Sequence, residues 1–138
     1  MPLKLEIVTP EARIFSDDVD TVVLPGFDGE MGILPTHAPL VTILKPGELR
    51  YTKSGKTTEM AVGDGLVEIT GSTTRVLTDM AIQADAIDEK VVEEAIARAH
   101  KSLESLKPGE QQEEIAAVMA MIQRSTAQLH LKRKRHSI

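Results

Sequence analysis

From Leu3 the chain alternates, with Leu3, Leu5 and Ile7 set against Lys4 and Glu6. A period of two predicts a strand with one buried face. Short apolar runs follow: DTVVLPG (20–26), GILP (32–35), PLVTIL (39–44), GELRYT (47–52), KTTEMAV (56–62), GLVEIT (65–70) and TRVLTDMA (74–81). The segments between them are turn chemistry, as in PGFDGE, KPGE, KSGK, VGDG and TGST. Strands at such short spacing, broken by glycine-rich turns, predict a β-sandwich or barrel. The run Val22-Val23-Leu24 needs cover on both faces, which argues against a single open layer.

The period changes after residue 84. From Asp85 no Gly or Pro occurs until KPGE at 107–110. Ile87, Val91, Ala95, Ala99, Leu103 and Leu106 share a helical face, widened by Val92 and Ile96. Asp85 or Asp88 is expected to cap the start, and Pro108-Gly109 to end the helix. A second helix is expected from about Glu110, with Ile115, Val118, Met119, Ile122, Thr126 and Leu129 as its apolar face. The pattern predicts a β-sandwich over 1–84 and an antiparallel two-helix hairpin over 85–138. Its facing side chains are mostly Ala, Val, Ile and Met, and burying Val or Ile contributes only about 1.5–3 kcal/mol. Such a hairpin must lean on the sandwich or on another chain, and a weakly docked element is a movable one.

Composition narrows the chemistry. Aromatics make up 2% and Trp is absent, so the core is aliphatic. No Cys is present, which excludes disulfides and thiolate metal sites. No apolar run approaches the length of a membrane span, and MPLKLEIVTPEAR has no secretory h-region, so a cytosolic-type compartment is expected. The net charge of −5 hides an asymmetry: residues 115–138 hold 5 basic and no acidic side chains and include KRKR at 132–135. A cationic end on an acidic chain points to an anionic partner.

No catalytic constellation emerges. His37, His100, His130 and His136 lack helical metal-site spacing. Ser16-Asp17-Asp18 lacks a nucleophile elbow, and GFDGEMG lacks the Lys-Ser/Thr of a phosphate loop. Neither a metal nor a cofactor is expected. Scarce aromatics and negative net charge argue against nucleic acid. The segment GEMGILPTHAPL (29–40) stands out instead. Pro35 and Pro39 stiffen it, Gly29 and Gly32 permit close approach, and Ile33 and Leu34 offer apolar surface. Either it docks a partner, or Ile33 and Leu34 are core and His37 satisfies a turn.

PGFDGEMGILPTHAPLVTILKPGELR resembles the N-terminal region of the ε subunit of F-type ATP synthase. That family reads P-G-x-x-G-x-x-G-I-L-P-x-H-A-P-L. Pro25, Gly26, Gly29, Gly32, Ile33, Leu34, Pro35, His37, Ala38, Pro39 and Leu40 match it. The opening segment and VLTDMAIQADAID also match, and the likeness extends over the whole chain.

The resemblance implies about ten strands and two helices, and a non-catalytic rotor subunit at the foot of the central stalk. Its partners would be the γ subunit and the c-ring of the membrane sector, on the cytoplasmic or stromal face. Gly29, Glu30, Met31, Gly32, Ile33, Leu34 and His37 would then carry docking. The family's hairpin can extend into the α/β catalytic head and inhibit hydrolysis. Arg124, Lys132, Arg133, Lys134 and Arg135 would there meet an acidic segment of β. The family's ATP motif, I/L-D-x-x-R-A, survives only as Ile87 and Asp88, because Val91 and Val92 replace Arg and Ala. Weak or no ATP binding is expected.

Overall fold

The computed structural model describes residues 3–35 and 38–136, with side chains through Lys134. Ten strands are followed by two α-helices. The strands are β1 (Leu3–Val8), β2 (Arg13–Val19), β3 (Thr21–Gly26), β4 (Gly29–Ile33) and β5 (Leu40–Leu44). They continue with β6 (Gly47–Lys53), β7 (Lys56–Val62), β8 (Gly65–Thr70), β9 (Thr73–Thr78) and β10 (Ala81–Gln83). A short 3-10 turn at Ala84–Ala86 leads to α1 (Glu89–Glu104) and α2 (Gln112–His136).

The strands pair in the order β10-β7-β6-β3-β5-β8-β9-β1-β2, with β4 on the free side of β3. Only β1 and β9 run parallel. The join between the halves is narrow: β3 meets β5 through the single pair Gly26 and Leu44. The sheet therefore folds over on itself as a sandwich. Leu3, Leu5 and Ile7 of β1 face Val22, Leu24, Leu49, Met60 and Val62 across one core. The edge strand β2 returns to β6, with the Phe15 and Tyr51 rings 4.5 Å apart and Lys53 paired with Asp17.

Strand β2 escapes the alternation rule. RIFSDDV lies at an edge with most of its side chains exposed, so few positions carry a packing signal. The last three residues of β7 are equally telling in the opposite direction. Met60 and Val62 point into the sandwich core, while Ala61 points out into a second, smaller cluster.

That second cluster holds Ala61, Ala84, Ile87, Val92 and Leu131, with Met80, Ile82, Ile96 and Leu129 packed on it. It docks the helices on β6 and β7. Asp88 caps α1, its carboxylate accepting from the amides of Lys90 and Val91. The expected face of α1 holds at Ile87, Val92, Ala95, Ile96, Ala99, Leu103 and Leu106, all buried or half-buried, and fails at Val91. Val92 and Ala99 are its buried positions, and Val91 is 57% exposed. The face centres on Val92, Ile96 and Ala99, four and three residues apart, which leaves Val91 at its margin. On α2, Ile115, Val118, Ile122 and Leu129 are half-buried, whereas Met119 and Thr126 are exposed. Leu131 is its one fully buried residue among those described.

Candidate docking surfaces and the hairpin cations

The β3–β4 hairpin turns at Phe27 and Asp28, where Gly26 pairs with Gly29. Gly29 has φ of +117°, a conformation that favours glycine. Phe27 is exposed, with the Lys45 ammonium 5.2 Å from its ring centre. Along β4 the parity is clear. Met31 and Ile33 lie opposite Leu24 and Val22 and turn inward, whereas Glu30 and Gly32 turn outward. Ile33 is 1% exposed and Leu34 is 60% exposed. The two readings of this segment therefore divide between neighbours. Ile33 offers no surface to a partner, because its register commits it to the core, and Leu34 does. The Glu30 carboxylate accepts from Arg50 Nη1 at 2.9 Å, and that hydrogen bond first of all raises the Arg50 pKa. His37 lies outside the described residues.

The other layer carries a surface that the sequence did not announce. Register places Ile43 beside Leu66, Leu66 beside Leu77, and Leu77 beside Val8 across β5, β8, β9 and β1. This is the outer face, since Val67, Ile69 and Val76 fill the inner one. Ile43 and Leu66 are each 47% exposed, with Leu77 and Val41 also open. A charged row runs alongside: Arg75 bridges Glu6 at 3.1 Å and Glu68 at 3.8 Å. The Arg75 hydrogen bond holds the Glu6 carboxyl below the usual range against a smaller opposing effect of burial. An uncovered apolar strip with a charged margin has the character of an interaction surface.

The hairpin cations are engaged. Arg124 Nη1 donates to Asp79 Oδ2 at 3.1 Å and Lys134 Nζ to Glu48 Oε2 at 2.9 Å. Lys132 Nζ donates to the Ala84 carbonyl at 3.3 Å. Arg133 reaches Glu89 of α1 at 3.2 Å and also pairs with Glu93. The Arg135 side chain lies outside the described residues. Glu48 is mostly buried, and its second oxygen faces Arg50 Nη1 at 3.6 Å. Burial disfavours its ionisation, but hydrogen bonds with Glu59 and Lys134 and the charges of Lys134 and Arg50 bring it below the ordinary range. Ile87 and Asp88 both serve the fold, one in the second cluster and one as the cap of α1.

Residues 2–84 match the family described as ATP synthase, Delta/Epsilon chain, beta-sandwich domain. The ATP synthase epsilon chain of Herpetosiphon aurantiacus is 36% identical over 137 residues, covering 99% of this chain and 98% of that relative. This chain belongs to the ATP synthase epsilon-chain family. The epsilon chain of Desulforamulus reducens is 50% identical over 102 residues, covering 74% of this chain and 77% of that one. Among solved structures, a chain of the Euglena gracilis mitochondrial ATP synthase OSCP/F1/c-ring assembly superimposes with a TM-score of 0.72 at 19% identity. That match covers 91% of this chain and 78% of the other. A chain of the Tetrahymena thermophila central stalk/c-ring structure gives 0.56 at 13% identity, covering 98% and 96%. These two likenesses show a shared fold.

For an epsilon-family chain, the apolar strip is the feature sequence reasoning passed over. GLVEIT and TRVLTDMA read as strands, with no face assigned to their apolar positions. The available signal was parity: Leu66 and Val67 are adjacent, so one of the two must face outward. None of the described helices is long and apolar enough to cross a membrane.

Proposed function

We propose that this chain is a non-catalytic central-stalk subunit of a proton-translocating F-type ATP synthase. The sandwich couples γ to the c-ring, and the helical hairpin restrains ATP hydrolysis. The chain associates peripherally with the cytoplasmic or stromal face of the energy-transducing membrane through the complex. The sandwich comprises residues 1–84 and the mobile regulatory unit residues 85–138.

The uncovered strip of Ile43, Leu66 and Leu77 carries this reading, because an apolar face of that kind calls for a stable protein partner. We assign the strip to γ. The outward residues Glu30 and Leu34, with the Gly29 turn, are assigned to the c-ring. Met31 and Ile33 support that turn from within. Lys132, Lys134 and Arg124, with Arg133 and Arg135, are assigned to the acidic segment of β when the hairpin extends. Val91, where an ATP-binding relative would place Arg, offers no charge to a phosphate, so nucleotide plays no part in this reading.

Reconstitution with γ, the c-ring and the catalytic head tests it. Ile43→Asp with Leu66→Asp is expected to abolish co-purification with γ while the chain stays folded by circular dichroism. Deleting residues 88–138 is expected to raise the ATPase rate. Retained γ binding in the double variant would refute the assignment of the strip, and an unchanged rate on deletion would refute the inhibitory role.

A further inference from the structure

We propose that Glu48 and Asp79 form an internal acidic counter-site on the sandwich, which holds helix α2 down by cations that the extended hairpin needs elsewhere. The inference rests on the inhibitory reading only for its consequence in the complex. The counter-site itself concerns the chain alone.

The ion-paired cations described on α2 fall into two groups, while Lys132 donates to the Ala84 carbonyl. Arg133 pairs with Glu89 and Glu93 on α1, so its partners travel with the hairpin wherever it goes. Arg124 and Lys134 pair with Asp79 and Glu48, which stay with the sandwich. Ten residues of helix separate these two contacts, roughly 15 Å along the axis. They flank Leu131 and a groove lined by Ile122, Ala127 and Pro46. Undocking α2 must break both ion pairs, while the pairs within the hairpin survive.

Both carboxylates are set in place rather than loosely tethered. Glu48 has one oxygen turned to Arg50 at 3.6 Å and the other to Lys134 at 2.9 Å. Asp79 lies against Gly63. A Cβ at that position would stand 1.9 Å from Asp79 Oδ1 and 3.1 Å from Arg124 Cγ. Position 63 is thus a backbone seat over which the Asp79–Arg124 pair closes. The sandwich thereby offers α2 the same chemistry as an acidic protein segment, and the two compete for one set of cations.

The chain has no Cys, so a dye pair placed by Lys56→Cys and Ser102→Cys reports docking by energy transfer in the full-length isolated chain. Exposed ion pairs contribute about 0.2–1 kcal/mol each, so Glu48→Gln with Asp79→Asn is expected to lower the docked-to-detached ratio about 2- to 30-fold. Gly63→Ala, which keeps every charge, is expected to lower it as well. Each comparison is repeated in a Leu131→Ala background, where both states are populated. Raised salt is expected to erase the difference between the parent and the double variant. A ratio unmoved by the carboxylate substitutions in that background overturns the counter-site. In the reconstituted complex, Glu48→Gln with Asp79→Asn is expected to deepen inhibition, the opposite of removing the cations. Looser docking with an unchanged ATPase rate leaves the counter-site standing and refutes the inhibitory reading instead.

Discussion

Gly65 opens β8 with its backbone against β9. A Cβ there would stand 1.8 Å from the Leu77 carbonyl oxygen and 2.8 Å from its carbon, both main-chain atoms that cannot swing aside. Gly65→Ala is expected to lower the unfolding free energy by more than about 2 kcal/mol, read from the urea midpoint. Gly71 is a useful contrast. It has open space but φ of +56°, so Gly71→Ala is expected to cost only about 1–2 kcal/mol of backbone strain. Equal effects at the two sites would contradict this ranking. Glu48 supplies a pH prediction of definite sign. Its folded-state pKa lies below the ordinary 4.5. Its contribution is therefore fully present above that value and lost as the pH falls through the folded one. Arg50 on its own strand, Glu59 on β7 and Lys134 on α2 all face it, and Lys45 and His130 line the same groove. Between pH 7 and 3.5 the docking advantage of the parent over Glu48→Gln is expected to shrink towards zero. A constant advantage across that range would place the contribution outside this carboxylate.

At the level of elements, legibility follows how much of a segment's surface is committed. β1 was plain because Leu3, Leu5 and Ile7 are all fully buried and their neighbours are not. β2 was hidden because an edge strand leaves its pattern to solvent and to pairing. The helices were legible as helices, and their faces less so. On α1 the expected face held except at Val91, which lies at its margin and is exposed. α2 commits Leu131 alone to full burial among its described residues, so most of its length carries little packing information. That concentration has a measurable result. Truncating a buried Leu costs about 2–5 kcal/mol, and Leu131 lies in the cluster beneath the helices and not in the sandwich core. Leu131→Ala is therefore expected to shift the hairpin towards the detached state, by the dye-pair measurement above, while the thermal midpoint of the sheet signal moves by only a few degrees. A concerted fall of both signals would show that the two cores melt as one.

For the whole molecule, the family was legible because its motif is a run of turn glycines and prolines whose spacing the backbone dictates. The candidate docking segment was legible as a segment. Which of its residues face outward required the register, since Ile33 and Leu34 are indistinguishable by composition and differ only in parity. The apolar strip on β5, β8 and β9 needed the sheet order as well, because β5 must lie beside the β8–β9 hairpin, over twenty residues further on, before it exists. The pairing of the hairpin cations was beyond any single-chain pattern, as Lys134 and Glu48 are 86 residues apart. Strand β7 joins these levels, with Met60 and Val62 in one core and Ala61 in the other. A chain built this way is expected to have two opening free energies instead of one, to be read by hydrogen exchange. Amide hydrogens in α1 and α2 exchange through helix fraying once the hairpin has lifted, and report the small core. Those of β7 that pair with β6 exchange only when the sheet itself comes apart, and report the large one.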